Sequence, residues 1–202
     1  MPGNPYNAPK AQLTEEVDVT SQRLYVVSAS KLTILYVATF GMYIYYWFYA
    51  NWLAYKKVGE VTRWPIARSF FYFIFAYSLF EKIAAEYEID KKSFSWYSGA
   101  WAIALIFSVL LTYGVDLIDD PLDELSPAYA IASIVGMVIS LYVLLKAQTA
   151  INVTQNDAQG VSNRRLTGWN YLWILLGVPL WLLSLAAIAG EEFMISIFSL
   201  FN

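Results

Sequence analysis

The stretch that decides the fold is residues 32–55, LTILYVATFGMYIYYWFYANWLAY, which lies between Lys31 and Lys56 and contains no charged residue. Its 24 residues are enough to cross a bilayer core, because an α-helix needs roughly 20 apolar residues to do so. A charged side chain at mid-membrane is costly, so a long gap between charges is informative. This gap predicts a transmembrane helix over about residues 32–55.

Three further charge-free gaps of similar length follow along the chain. They hold 23, 21 and 25 residues and predict transmembrane helices over about residues 94–115, 126–145 and 168–189. A fifth segment, Ser69–Phe80, has only 12 uncharged residues, a length that fits either an interfacial helix or a fifth span. The predicted fold is an all-α polytopic membrane protein with four transmembrane helices and one short aromatic helix. A polar arm, residues 1–30, precedes this single transmembrane domain, residues 31–202.

Charge bias between the loops predicts the orientation, because Lys and Arg concentrate on the cytoplasmic side of membrane proteins. The loop over residues 116–124 has five acidic residues and no basic one, so we expect it to face outside, together with the C-terminus. The basic residues at 91–92 and in the segment 146–165 are then cytoplasmic. If Ser69–Phe80 lies in the interface the N-terminus is outside, and if it spans the membrane the N-terminus is inside. Both arrangements remain open.

The composition excludes several classes of function. The chain has no Cys and no His, so it lacks disulfides, thiolate nucleophiles, histidine bases and the usual ligands of zinc, haem and copper. No acidic or basic residue lies inside the four predicted spans, which argues against an ion-coupled transporter. Catalytic motifs are absent, and the net charge of -3 does not suggest a nucleic-acid partner. We therefore predict no catalysis, cofactor or metal.

Small residues spaced four apart predict that two of the hydrophobic segments, residues 94–115 and 126–145, pack as a close antiparallel hairpin. Small side chains let membrane helices approach each other, and a spacing of four keeps them on one helix face. The same ridges could instead form an interface with a second copy of the chain. The ridge residues are Ala100, Ala104, Ser108 and Thr112 on the first segment and Ala128, Ala132, Gly136 and Ser140 on the second.

An aromatic block, residues 43–55, occupies the end of the first predicted helix, just before Lys56 and Lys57. Tyrosine and tryptophan rings gather at the membrane–water boundary, so the block could serve only to fix the depth of the helix. Alternatively, it forms a surface for a lipid headgroup or a partner helix. Asn51 favours this alternative, because an amide deep in a helix end needs a hydrogen-bond partner. The candidate contact residues are Tyr43, Tyr46, Trp47, Tyr49, Asn51 and Trp52.

The segment Thr39-Phe40-Gly41-Met42-Tyr43-Ile44-Tyr45-Tyr46-Trp47-Phe48-Tyr49 resembles the first membrane helix of a family of small bacterial inner-membrane proteins. That family has a Thr-(Phe/Leu)-Gly-x-Tyr-x-x-Tyr-Trp-(Phe/Leu)-Tyr stretch. The resemblance covers about 25 residues, and it implies a bacterial inner-membrane location without implying an activity, a ligand or catalytic residues. Gly41 in this stretch could allow a close helix approach or a local bend.

Three functions remain open from the sequence. The first is a non-catalytic accessory, assembly or regulatory subunit of a larger membrane complex, whose partners are lipids and another membrane protein or a second copy. The alternative is a protein that binds or passes a lipid or hydrophobic solute. It needs a cavity between the first helix and the last, in which Pro179 predicts a kink near Leu175. The third, which the absence of catalytic motifs argues against, is a membrane enzyme that uses Asp119, Asp120 or Asp123 with a metal at the outer surface.

Overall fold

The computed structural model describes residues 24–57, 64–89, 96–113 and 127–199. This part of the chain is all-helical and contains no strand, as the sequence predicts. The acidic loop 116–124, residues 1–23 of the polar arm and residues 200–202 lie outside the described residues. The seven α-helices are α1 Ala29–Ala38, α2 Tyr43–Lys57, α3 Pro65–Phe70, α4 Tyr72–Ile89, α5 Ser98–Tyr113, α6 Pro127–Thr154 and α7 Gly168–Ser199.

Two helices in the described ranges are long and apolar enough to cross a membrane, and not the four that the sequence predicts. They contain the stretches Ile131–Thr154 and Gly168–Leu185. Two other apolar helical stretches, Ala29–Ala38 and Ser98–Thr112, are shorter. Within the predicted span over residues 94–115, the described residues form α5, whose 16 residues extend about 24 Å at 1.5 Å per residue.

The prediction of one continuous helix over residues 32–55 is wrong, because the helix ends with α1 at Ala38 and a second helix, α2, begins at Tyr43. Phe40 and Gly41 have positive φ angles of 51° and 80°. The N–H of Gly41 donates to the carbonyl of Tyr36 at 2.8 Å, and the N–H of Phe40 donates to that of Val37 at 3.0 Å. These two bonds define a Schellman ending. We call residues 39–42 the helix break.

The short aromatic segment Ser69–Phe80 is divided between α3 and α4 at Phe71. α4 has 18 residues in all, and it extends past the neighbouring charged residues Glu81 and Lys82 to Ile89. The Arg68 guanidinium of α3 lies 4.6 Å from the centre of the Trp52 ring on α2, a cation–π contact that ties α3 to the aromatic block.

α2 is deeply buried along one face, because its large side chains recur at intervals of three and four residues and face inward. Trp47, Phe48 and Trp52 are all fully buried. They share one core with residues of α4 and α6, among them Leu79, Phe80, Ile83, Val143, Leu144 and Ala147.

α5 and α6 form an antiparallel pair with a close approach of their backbones. The hydroxyls of Ser108 and Ser140 lie 2.6 Å apart. A Cβ atom added at Gly136 would lie 2.8 Å from the carbonyl oxygen of Ser108 and 2.3 Å from the Thr112 hydroxyl oxygen. Only a residue without a side chain fits at this crossing.

Candidate functional site

Thr39 joins the two halves of the broken first hydrophobic segment. Its hydroxyl donates to the carbonyl of Leu35 at 2.7 Å and accepts from the N–H of Tyr43 at 3.0 Å. It therefore caps the end of α1 and the start of α2 together. The N–H of Ile44 donates to the carbonyl of Gly41 at 3.0 Å. Because the chain satisfies these N–H groups itself, the helix break does not present an anion site.

The helix break is covered by α7. The indole N–H of Trp181 donates to the Val37 carbonyl at 2.7 Å, and its ring meets Phe40 edge to face with centroids 5.0 Å apart. A Cβ atom added at Gly177 would lie 1.9 Å from the carbonyl oxygen of Ala38. The glycine thus lets α7 lie directly against the backbone of the break.

A cavity of about 270 Å³ lies beside the helix break, between α5, α6 and α7. None of the residues that line it is charged. Three tyrosines contribute to its wall, Tyr36, Tyr45 and Tyr72. The apolar part of the lining consists of Phe40, Met42, Ile44, Val109, Met137 and Leu180.

The wall formed by α5 and α6 carries four small hydroxyl side chains. Ser108 donates to the carbonyl of Leu105 at 2.7 Å and pairs with Ser140. Thr112 donates to the carbonyl of Ser108 at 3.0 Å. Ser133 is only 8% exposed, and its hydroxyl has no hydrogen-bond partner in the part of the chain that the structure describes.

A second polar cluster holds the extended segment that precedes α1. The Asn51 side-chain oxygen accepts from the N–H of Tyr25 at 3.1 Å. The Gln148 amide donates to the Tyr25 carbonyl at 3.0 Å, and the Asn152 amide donates to that of Val27 at 2.9 Å. These side chains therefore bind backbone groups of the segment, as a neighbouring β-strand would. We call this arrangement the amide clamp.

The loop between α6 and α7 closes the amide clamp from the other side. The Asn163 amide donates to the Val26 carbonyl at 2.9 Å, and the Lys31 ammonium donates to the Asn163 side-chain oxygen at 2.7 Å. Gly160 has a φ of 61°, and a Cβ there would lie 2.5 Å from the backbone nitrogen of Ser28. The loop can approach the segment this closely only with glycine at that position.

Asp157 shapes the same loop. Its carboxylate accepts from the N–H of Ser162 at 2.9 Å and from that of Val161 at 2.8 Å. These backbone donors lower the pKa of Asp157 from its ordinary value, because they stabilise the charged form.

The structure places most of the candidate contact residues of the aromatic block inside the fold. Trp47, Asn51 and Trp52 are fully buried, and the Trp47 indole N–H donates to Gln148 at 2.6 Å. Tyr43 is buried too, with its hydroxyl 3.3 Å from that of Tyr25. The partners of Asn51 and Trp47 therefore belong to the chain itself. Tyr49 is half-buried, and Tyr46, which is 39% exposed, lies at the surface.

The packing ridges are brought together over part of their length. Gly136 and the pair Ser108 and Ser140 lie in the α5–α6 contact. Ala104 packs against the core, Ala132 is half-buried and Ala100 is exposed. Ala128 lies in α6, but its side chain is outside the described residues.

Sequence reasoning missed the residues that give each polar site its character. Gln148 and Asn152 fall beyond the predicted span 126–145, and α6 continues through both of them. An amide among apolar neighbours was the signal that could have identified Gln148. Ser133 gives no signal in the sequence, because it lies between the ridge positions and not on them.

No family model, curated protein or solved structure matches the chain. Among the described residues, no group of three or more acidic side chains is placed to hold a metal ion. Asp119, Asp120 and Asp123 lie outside the described residues.

Proposed function

We propose that this chain is a polytopic protein of the bacterial inner membrane that binds a small, uncharged and largely apolar molecule beside the helix break. The observation that carries the proposal is the cavity of about 270 Å³ with no charged lining residue. The sequence-based alternative of a lipid or hydrophobic-solute binder needs a cavity between the first and last hydrophobic segments, and it is supported by the lining of this cavity, to which the first segment contributes several residues and α7 contributes Leu180.

The surface of α7 supports a membrane environment. Only 6% of the residues in its stretch Gly168–Leu185 are buried, and the side chains of Leu175 and Leu183 are each 66% exposed. A continuous apolar surface of this kind is rare on soluble monomers, whereas lipid covers it at no cost. In a membrane, α1 and α2 would form one broken span beside α5, α6 and α7.

The helix break supports a binding role in that environment. Non-helical backbone at membrane depth is tolerated only where protein buries it or where it lines a cavity. Here both conditions are met, because α7 covers the break at Gly177 and the cavity begins at Gly41. Transporters and other membrane proteins use broken helices in the same way to build binding sites.

The size of the cavity limits the ligand. A cavity of about 150 Å³ lined by apolar side chains holds benzene. By proportion, about 270 Å³ has room for roughly ten to eleven heavy atoms, which is the size of naphthalene. This is close to the lower end of ordinary ligand pockets, about 300 Å³. The part of the ligand that enters the cavity is therefore a compact ring system or a short chain.

A cavity-filling variant tests this proposal. We expect the fluorine NMR spectrum of fluoronaphthalene, recorded with the unmodified protein in detergent micelles, to contain a resonance of the bound molecule. Val109→Phe places a ring in the cavity and should abolish that resonance. Val135→Phe is the matched control, because Val135 is exposed on α6. Absence of a bound resonance with the unmodified protein, or its survival in Val109→Phe, would contradict binding at this site.

The orientation is part of the proposal, with the acidic loop 116–124 and the C-terminus outside. Because the chain has no cysteine, a single cysteine introduced at Ser162 or at Asp119 reports its side of the membrane. We expect an impermeant maleimide added to intact spheroplasts to label the cysteine at Asp119 and to leave that at Ser162 unlabelled. The reverse pattern would invert the proposed orientation.

An accessory role in a larger membrane complex is the second candidate, and the exposed apolar face of α7 favours it. Lipid and a partner helix both suit this face, so a contact experiment is needed to distinguish them. A photoreactive amino acid at Leu175 should crosslink to one defined membrane protein or to a second copy, while one at Val135 serves as the comparison. Crosslinks to lipid alone from both positions would count against the accessory role.

A further inference from the structure

We propose that the ligand of the cavity carries a neutral hydroxyl group and that Ser133 on α6 selects it. This inference rests on the proposed function, since it concerns the same cavity. It places the polar end of the ligand against the α5–α6 wall and its apolar body against the helix break and Leu180 of α7.

The hydrogen-bond arrangement of the α5–α6 wall supports Ser133 as the donor. Each hydroxyl has one proton to give. Ser108 uses its proton on the Leu105 carbonyl, so in the pair of Ser108 with Ser140 the proton must come from Ser140. Thr112 uses its proton on the carbonyl of Ser108. Of these four hydroxyls, the one at Ser133 alone keeps its proton available.

The surroundings of the Ser133 hydroxyl make a bound partner favourable. Its oxygen is buried without a hydrogen-bond partner among the described residues, and a buried polar group left unpaired is costly. Ser133 lines the cavity, but its oxygen is closed off in the present rotamer. A rotation about the Cα–Cβ bond to another staggered rotamer turns the hydroxyl toward an acceptor on the ligand, which removes that cost. Such unpaired groups are uncommon in folded proteins, and each calls for a specific explanation.

The remaining lone pairs define the ligand group further. Ser140 and Thr112 have given their protons and keep oxygen lone pairs that can accept. Ser140 lies seven residues from Ser133 along α6, about 10 Å away, which is too far for one group to contact both. Thr112 lies against Gly136, one turn from Ser133, so a group that accepts from Ser133 and donates to Thr112 satisfies both sides, and a hydroxyl does so. A charged group inside the cavity is unfavourable, because no lining residue is charged and a buried charge without a partner is expensive. The ligand class is therefore a neutral alcohol or phenol with a compact apolar body.

A pair of probes that differ by one hydroxyl tests the inference. Naphthol and naphthalene share a ring system that fits the cavity, and their partition into empty micelles is measured separately and subtracted. A neutral hydrogen bond contributes about 1 kcal/mol, so we expect naphthol to bind the unmodified protein about fivefold more tightly. Ser133→Ala should remove this preference and keep the affinity for naphthalene. Ser162→Ala, on the exposed loop, is the control and should behave as the unmodified protein.

The outcomes separate this inference from the proposed function. If neither probe binds the unmodified protein, the binding function itself fails. If naphthalene binds and naphthol has no advantage, or if the advantage survives Ser133→Ala, the cavity binds ligands but Ser133 does not select a hydroxyl. Ser133→Ala removes a hydroxyl that makes no hydrogen bond within the described chain, so the variant should fold as well as the unmodified protein.

Discussion

Replacing Gly177 with alanine should push α7 away from the helix break. A Cβ atom at this position would lie 1.9 Å from the carbonyl oxygen of Ala38 and 2.7 Å from the Cα of Thr39. A carbon atom and a carbonyl oxygen approach each other to about 3.3 Å. The helix would therefore have to move outward by about 1.4 Å, the difference between 3.3 Å and the present distance.

This movement has a calculable cost. It lengthens the bond from Trp181 to Val37, now 2.7 Å, to about 4 Å, which is too long for a hydrogen bond. Overpacking lowers the free energy of unfolding by about 1–3 kcal/mol, and the lost hydrogen bond lowers it by about 1 kcal/mol. The better helix propensity of alanine raises it by about 1 kcal/mol. We expect Gly177→Ala to lower the free energy of unfolding by about 1–3 kcal/mol.

Unfolding in detergent by SDS titration, followed by tryptophan fluorescence, measures this change. Gly168→Ala is the matched control, because it lies in the same helix and its added Cβ meets nothing within 4 Å. We expect the control to be as stable as the unmodified protein or slightly more stable. If Gly177→Ala unfolds at the same SDS concentration as Gly168→Ala, α7 does not lie against the backbone of the helix break.

Three other predictions follow from the polar groups and the helix crossing. Gln148→Leu leaves the buried indole N–H of Trp47 without its acceptor and should destabilise the fold by about 1–3 kcal/mol per orphaned group in SDS unfolding, whereas Thr149→Val, exposed on the same helix, should cost little. The folded pKa of Asp157 lies below its unfolded value of about 3.9, so its stabilisation of the loop is present above about pH 4 and is lost as the pH falls through the folded pKa. In thermal melts, the melting temperature should fall more steeply with decreasing pH for the unmodified protein than for Asp157→Asn. Equal dependence of the two melting temperatures on pH would contradict the argument. Gly136→Ala sets a Cβ 2.8 Å from a carbonyl oxygen of α5 and should destabilise the α5–α6 pair by about 1–3 kcal/mol, so an unchanged SDS unfolding curve would show that the two helices are not this close.

Much of the helical layout is predictable from the spacing of charges. The charge-free gaps give the approximate places of α5, α6 and α7, because a polar backbone in an apolar segment satisfies itself best as helix. Their ends are less predictable. α6 runs on to Thr154 because Gln148 and Asn152 find partners in the segment before α1, a tertiary contact that no local pattern reveals.

The helix break shows what charge spacing does not detect. Its residues 39–42 are uncharged, and the stop depends on backbone angles at Phe40 and Gly41. The glycine does indicate a local bend in the sequence, but the phenylalanine at a positive φ gives no such signal, since its conformation is held by tertiary contact with Trp181. Neither the break nor the cavity beside it can therefore be predicted without the packing of α7.

Buried polar groups of the aromatic block do have hydrogen-bond partners, but these partners lie within the same chain. Asn51 does have the hydrogen-bond partner that a buried amide needs, and that partner is the backbone of Tyr25. A single sequence cannot distinguish a partner elsewhere in the same chain from one on another molecule. Exposed apolar surface for outside contacts is found instead on other helices, among them α7.

The central claim is that a small apolar molecule occupies the cavity beside the helix break, and the methionine methyl groups test it most directly. The chain has four methionines, of which Met42 and Met137 line the cavity. With methyl-labelled methionine and naphthol in deuterated micelles, we predict intermolecular nuclear Overhauser effects from the naphthol ring to the Met42 and Met137 methyl groups, and their loss in Val109→Phe. Contacts absent from Met137, or unchanged in Val109→Phe, would contradict the claim.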